Sequence, residues 1–512
     1  MIGDGAELAL VDVREELIFS TRHMLLARSI PLSRLELKFA QLVPRRTTRI
    51  VLCDDGDGLA ERAAAVLTRN GYTDVAVLDG GVDAWVAAGF EVFSGVNVPS
   101  KAFGEYIEHE AGTPSISAAE LEQLIRDKAD IVVLDSRPYD EYSRVSIPTG
   151  INVPGAELVL RAREIAPSPQ TMIVVNCAGR TRSIIGAQSL INAGVPNKVV
   201  ALRNGTMGWS LAGFTCDNGK NRRAPDVSTK TLAWAQPAAQ RVAQKYGVAR
   251  IERATLDALR KDVNRTLYLF DVRDPAEYAR GHVAGAVSAP GGQLVQATDQ
   301  YVGTLGARIV LVDDTEVRAA MTASWLRQMG WNDVFVLVES GTQTGRPDIG
   351  LLEEGIGNAA SVDSAALNEL LSRNAATVID LSSSRDYLAG HIPGAWFGIR
   401  TRLDRAFKKI PRSGTVVLTS EDGVLARLAA AEAQALIDAP VRVLAGGNAA
   451  WKAAGYPLSA EPKNMADDVV DQWRKPYERS GDTKAAMNEY LAWEIDLLPR
   501  IARDGTLKFL SH

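Results

Sequence analysis

A chain of 512 residues is too long for one hydrophobic core and implies three or four domains. Its 46% hydrophobic and 23% charged residues are those of an ordinary globular protein, and a formal net charge of −5 leaves no basic footprint for nucleic acid. Three cysteines without a CxxC exclude a disulfide framework, and the five scattered histidines show no metal-ligand spacing, so a reducing, cytoplasmic setting is expected.

From the N-terminus, Met1 to Glu16 lack the basic and apolar regions of a signal peptide, and no apolar run approaches the roughly 20 residues that span a bilayer. No membrane association is expected. One composite pattern then recurs four times, which makes repeats the first organising fact. Each copy opens with a short apolar run ending in Asp: Asp12, Asp135, Asp271 and Asp380. Seven residues on comes an aromatic, Phe19, Tyr142, Tyr278 or Tyr387, and eleven on comes His23, Ser146, His282 or His391. A second apolar run follows, at Arg49, Met172, Arg308 and Thr415, β-branched enough to read as a buried strand. An Ala/Leu-rich helical segment and a third apolar run complete the unit. Three copies close with Gly and, four residues later, Trp: Gly81/Trp85, Gly205/Trp209 and Gly447/Trp451.

Strand–helix–strand alternation at this spacing predicts an α/β fold, with each copy a parallel sheet covered by helices on both faces. The expected units are 1–97, 98–227, 228–348 and 349–460, with 461–512 a helical extension packed back on the body. The tryptophans are expected as core anchors, and the recurring histidines as hydrogen-bonding elements of the scaffold.

Asp-x-Arg-x-x-x-Glu-aromatic, then Gly-His-Ile-Pro-Gly-Ala, then a strand ending in a Cys loop, then Gly-Gly-x-x-x-Trp, resembles the rhodanese family. Asp271–Ala286 and Gly390–Ala395 carry the early part almost letter for letter. The likeness covers nearly the whole chain to about residue 460 and implies four tandem rhodanese-like domains.

In that family the nucleophile ends the second run. Counting 28 residues back from the closing glycine places Cys53, Cys177 and Thr419 there, and the shared RIVL run places Val312, or Asp313 if one residue slips. Domains three and four, without a thiol, are expected to be inactive. Cys177 opens the loop Cys177-Ala178-Gly179-Arg180-Thr181-Arg182-Ser183, with a helix beginning at once. Nearby cations and a helix N-terminus lower a thiol pKa. Ser183 is expected as N-cap or hydroxyl partner. An Arg five residues after the Cys, rather than six, resembles the shorter sulfurtransferase loop and not the phosphate-transferring one.

The resemblance therefore implies thiosulfate-sulfurtransferase-like chemistry at Cys177, with Ala178, Gly179, Arg180, Thr181, Arg182 and Ser183 around the substrate. Arg137 is either a further contact to the substrate anion or half of an Arg137–Glu141 structural pair. Cys53, in the acidic loop Cys53-Asp54-Asp55-Gly56-Asp57-Gly58, is a vestigial site or a secondary relay thiol. Cys216 reads as a packed thiol. The expected partners are a small anionic sulfur donor and a thiol or cyanide acceptor, including thioredoxin or another sulfur-handling protein. No cofactor or metal is required. The rival reading is a persulfide carrier or scaffold with little small-molecule turnover. The first domain is expected to roof the site.

Overall fold

The first and second of the three predicted apolar runs of each copy lie side by side within a parallel sheet, with the third beside the second. In a computed structural model, which describes residues 1–510 apart from 348, 355 and 357, there are four such sheets. In the second, the strands run from edge to edge as Ser115–Ile116, Val199–Leu202, Met172–Asn176, Ile131–Asp135 and Ile151–Asn152. The third and fourth sheets repeat this order, and the first has it without the opening edge strand. The central runs are apolar on both faces because helices cover both. The architecture is α/β, as the strand–helix alternation requires.

The recurring aromatic and histidine form a stacked pair. Ring centroids are 3.9 Å apart for Phe19–His23 and Tyr278–His282, and 3.8 Å for Tyr387–His391. His282 and His391 hold their Nδ1 on the carbonyls of Tyr278 and Tyr387, which fixes the chain turn after each short helix. The closing tryptophans are anchors: Trp209 and Trp451 are buried and donate their indole N–H to the carbonyls of Thr215 and Pro457.

The four units associate across the order of the chain. The second meets the third where Gly155 and Gly292 touch. A Cβ on Gly292 would stand 3.0 Å from the Gly155 Cα and one on Gly155 3.3 Å from the Gly292 Cα, so a side chain at either would have to push the two backbones apart. Arg318 of the third unit reaches Glu157 of the second at 3.0 Å. The first meets the fourth through the bidentate Arg400–Glu36 pair, at 2.8 and 2.9 Å. The first also holds the third: Glu7 accepts the Thr266 N–H and pairs with Arg265.

The extension is helical, as expected. Its helix Thr483–Asp504 starts at the Asp482 cap and ends at Gly505, whose φ of +70° suits a residue without Cβ. It packs along the helix Val98–Ala111, burying Met487, Leu491, Glu494, Leu497 and Ile501.

Candidate active site

Equivalent positions in the four loops are fixed by the sheet register. Asp12 pairs with Cys53, Asp135 with Asn176, Asp271 with Val312 and Asp380 with Thr419. Cys53 is therefore the counterpart of Asn176, one residue short of the nucleophile position. The backbone agrees. The Cys177 carbonyl accepts the Thr206 N–H, as Asp54 accepts from Val82 and Ser420 from Asn448. A Cβ on the closing glycine would fall 2.4 Å from the Cys177 oxygen, 2.3 Å from that of Asp54 and 2.2 Å from that of Ser420. The nucleophile position is thus Asp54, Cys177, Asp313 and Ser420.

This corrects the count that put Cys53 and Thr419 there, and in the third unit it selects Asp313 of the two expected positions over Val312. Asp54 to Gly81 and Ser420 to Gly447 span 27 residues, against 28 from Cys177 to Gly205. One residue missing between loop and glycine is invisible to counting. Cys53 lies fully buried in the first unit's core, and burial, then the charge of Asp12, pushes its thiol pKa well up.

What fills the position differs in kind. The Asp54 carboxylate accepts the N–H groups of Gly56 and Ala60 at 2.8 and 2.9 Å. The Asp313 carboxylate accepts from Arg318 at 2.8 Å, from Thr315 at 3.3 Å and from Ala319 at 3.4 Å. Ser420 accepts from Ala426 at 3.3 Å. Each of these loops satisfies its own backbone donors with its own side chain. Only Cys177 presents a thiol, whose Sγ lies 3.5 Å from the Ser183 hydroxyl.

The strand Met172–Asn176 delivers Cys177, and the helix Thr181–Ala193 points its N-terminus at the loop. Ser183 sits inside the first turn and is not the N-cap. Its hydroxyl instead donates to the Arg180 carbonyl at 2.7 Å. Ala178, Gly179, Arg180, Thr181 and Arg182 line a cavity of about 210 Å³ with Cys177. Both arginines are held by carboxylates. Arg180 pairs with Glu105 at 2.7 Å and with Glu108. Arg182 pairs with Glu141 at 2.9 Å and reaches Gln293 of the third unit at 3.1 Å. Burial alone would raise the Glu141 carboxyl, yet Arg182 and then Lys475 hold it well below the usual range.

Arg137 stands apart from this lining. It is 1% exposed and grips Asp135 at 2.7 and 2.8 Å, so the expected Arg137–Glu141 pair does not form. In the first and third units the matching arginines, Arg14 and Arg273, also reach the acid that follows the nucleophile position, Asp55 or Asp314. Ala178 stands there in the second unit.

The roof comes mainly from the far end of the chain. Trp473, Lys475, Pro476, Tyr477, Glu478, Tyr490 and Glu494 of the extension line the cavity, with Gln293, Gln296, Ala297 and Gln300 of the third unit. The first unit adds only Glu16, Val96 and Asn97 at the edge, so the expected roof by that unit is corrected. Under this cover Cys177 is 2% exposed. Lys475 and Glu494 escaped the sequence reading because they lie outside the four units, and Lys101 because its helix precedes the recurring pattern of the second unit.

A cysteine at a parallel-strand end, facing a helix N-terminus and repeated as a motif with the thiol replaced, defines a tandem cysteine-loop α/β protein. Residues 1–88, 117–212, 253–343 and 363–454 each match the rhodanese-like domain, and the chain belongs to the rhodanese family. End to end it is similar to a thiosulfate sulfurtransferase from Pseudomonas aeruginosa, 48% identical over 99% of this chain and 97% of that one, with a TM-score of 0.96. A human single-domain sulfurtransferase, 24% identical, covers 19% of this chain and 97% of its own at a TM-score of 0.17. A curated relative, the HTH-type transcriptional regulator Rv0324 of Mycobacterium tuberculosis, is 32% identical over 109 residues, which are 21% of this chain. The match spans 47% of that regulator's length. Among the described residues no helix is long and apolar enough to cross a membrane.

Proposed function

We propose that this chain is a sulfurtransferase that takes a sulfane sulfur from a small anionic donor, thiosulfate first, onto Cys177 and passes it to a thiophilic acceptor. The observation that carries the reading is the single thiol among four equivalent loop positions, set in a cavity of about 210 Å³ with Arg182 beside it. Family membership and the end-to-end likeness to a thiosulfate sulfurtransferase support it.

In the first half, the Cys177 thiolate attacks the outer sulfur of the donor. The donor's S–S bond breaks and sulfite leaves with the electron pair. The loop N–H groups of Ala178 to Arg182 and the helix N-terminus face the bound sulfur and stabilise its charge. Arg182 and Lys475 neutralise the anion, and Arg137, with Ala178 in place of a loop acid, adds a guanidinium behind them. In the second half, cyanide or a small thiol such as glutathione removes the sulfur, since the covered cavity does not admit the surface of a thioredoxin.

A persulfide carrier serving a protein partner fits less well, because a sulfur 2% exposed beneath the extension is closed to a large surface. Intact mass after incubation with thiosulfate tests the reading. One added sulfur mapping to Cys177, with steady-state turnover lost in C177S, is the expected result. No adduct with thiosulfate sinks the proposal, and a stable adduct without turnover moves it to the carrier.

A further inference from the structure

The proton of a thiol acceptor needs somewhere to go, and the extension places a carboxylate where it is needed. We propose that Glu494 is the proton acceptor of the second half-reaction, which makes small protonated thiols the substrates this cavity is built to use. The inference rests on the sulfurtransferase reading of Cys177.

Glu494 is 0% exposed and lines the same cavity as Cys177. Its two oxygens are treated unequally. Oε1 accepts from the Tyr490 hydroxyl at 3.0 Å and from Thr181 at 3.4 Å, and Lys101 Nζ stands 3.4 Å away. Oε2 is buried without a hydrogen-bond donor. It is directed at the nucleophile loop, 3.3 Å from where a Cβ on Gly179 would sit. Leaving such an oxygen unpaired carries a desolvation penalty that a donor-bearing ligand removes.

Thiosulfate brings no hydrogen to offer at neutral pH, and sulfite brings none once the pH stands well above its second ionisation near neutrality. A thiol does. Tyr490 is excluded as the base, since burial and then the Glu494 charge push its hydroxyl pKa well up and keep it a donor. The step balances. The acceptor S–H bond breaks, its proton goes to Glu494 Oε2 and its electron pair stays on sulfur. That thiolate attacks the outer sulfur of the Cys177–S–SH persulfide and forms the new S–S bond. The persulfide's own S–S bond breaks, and Cys177 leaves as a thiolate facing the helix N-terminus. The product is a free persulfide, R–S–SH, and Glu494 returns its proton to solvent.

The test uses the full chain, loaded with thiosulfate, freed of excess donor and checked by intact mass. At about pH 8.5, single-turnover transfer to 2-mercaptoethanol, still mostly the protonated thiol, is compared with transfer to sulfite, by then the dianion with no proton to lose. In E494Q the ratio of thiol to sulfite transfer is expected to fall roughly 10- to 100-fold, with the thiol reaction the one that slows. Equal slowing with both acceptors, or none with either, overturns the inference while the persulfide reading stands. A wild-type chain that never loads overturns both. Should E494Q fail to fold, the wild-type protein decides: thiol transfer is expected to show a solvent isotope effect of about 2, absent with sulfite, and equal isotope effects reject the base.

Discussion

The first and second loops share a backbone and differ in what fills it. In the first, the Asp54 carboxylate occupies the ring of N–H groups at 2.8 and 2.9 Å. In the second, Cys177 leaves that ring open to a ligand, with its Sγ near the Ser183 hydroxyl. Three loops carry a side-chain oxygen that accepts from their own backbone N–H groups, and the second carries a thiol instead.

Substitution at Cys177 breaks the comparison most directly. C177S is expected to reduce thiosulfate turnover to background, read in a steady-state assay. C177D converts the second loop to the kind found in the first. It is expected to be equally inactive yet to unfold later, by about 1–2 kcal/mol in denaturant titration, as the carboxylate takes up the loop donors. A destabilised C177D would show that the two loops do not offer the same donors.

Arg182→Ala comes next. It removes the cation beside the thiol and leaves Glu141 to Lys475 alone. A fall in kcat/KM of about 10- to 100-fold is expected, carried mostly by KM for the anionic donor.

His23 sharpens the contrast on the side of stability. Burial lowers its pKa to about 4 from 6.5. The neutral ring's contribution is complete above pH 6.5 and drains as pH falls through that value toward 4. On the order of 3 kcal/mol is expected to go from the first domain over this window, and H23N should flatten the dependence in thermal melts. The smallest effect belongs to D54A, which orphans the Gly56 and Ala60 N–H groups. It should cost the first unit about 1–2 kcal/mol and leave turnover unchanged.

Much of this fold is written locally. The Asp-to-aromatic-to-histidine spacing is a within-unit signal, and each piece contacts its neighbour in the same copy, as the Tyr278–His282 stack does. The Cys177 loop was legible for the same reason. Two kinds of fact were not. The one-residue difference that makes Asp54, and not Cys53, the nucleophile counterpart lies between loop and closing glycine, where no residue type marks it. Sheet hydrogen bonds resolve it because a register slip would invert the faces of the strand. The partners of Glu141, and the roof of Trp473, Tyr477 and Glu494, depend on where distant segments dock, and their residue types alone do not say so.

The roof also sets an order of events. Thr181 and Glu494 touch across 313 residues of chain. During synthesis the second unit is made, and its own core folds, long before the segment that covers its thiol emerges. Cys177 passes through a period as an uncovered thiol beside a helix N-terminus, open to oxidants and to stray electrophiles. The finished molecule shields the sulfur that the growing one leaves bare.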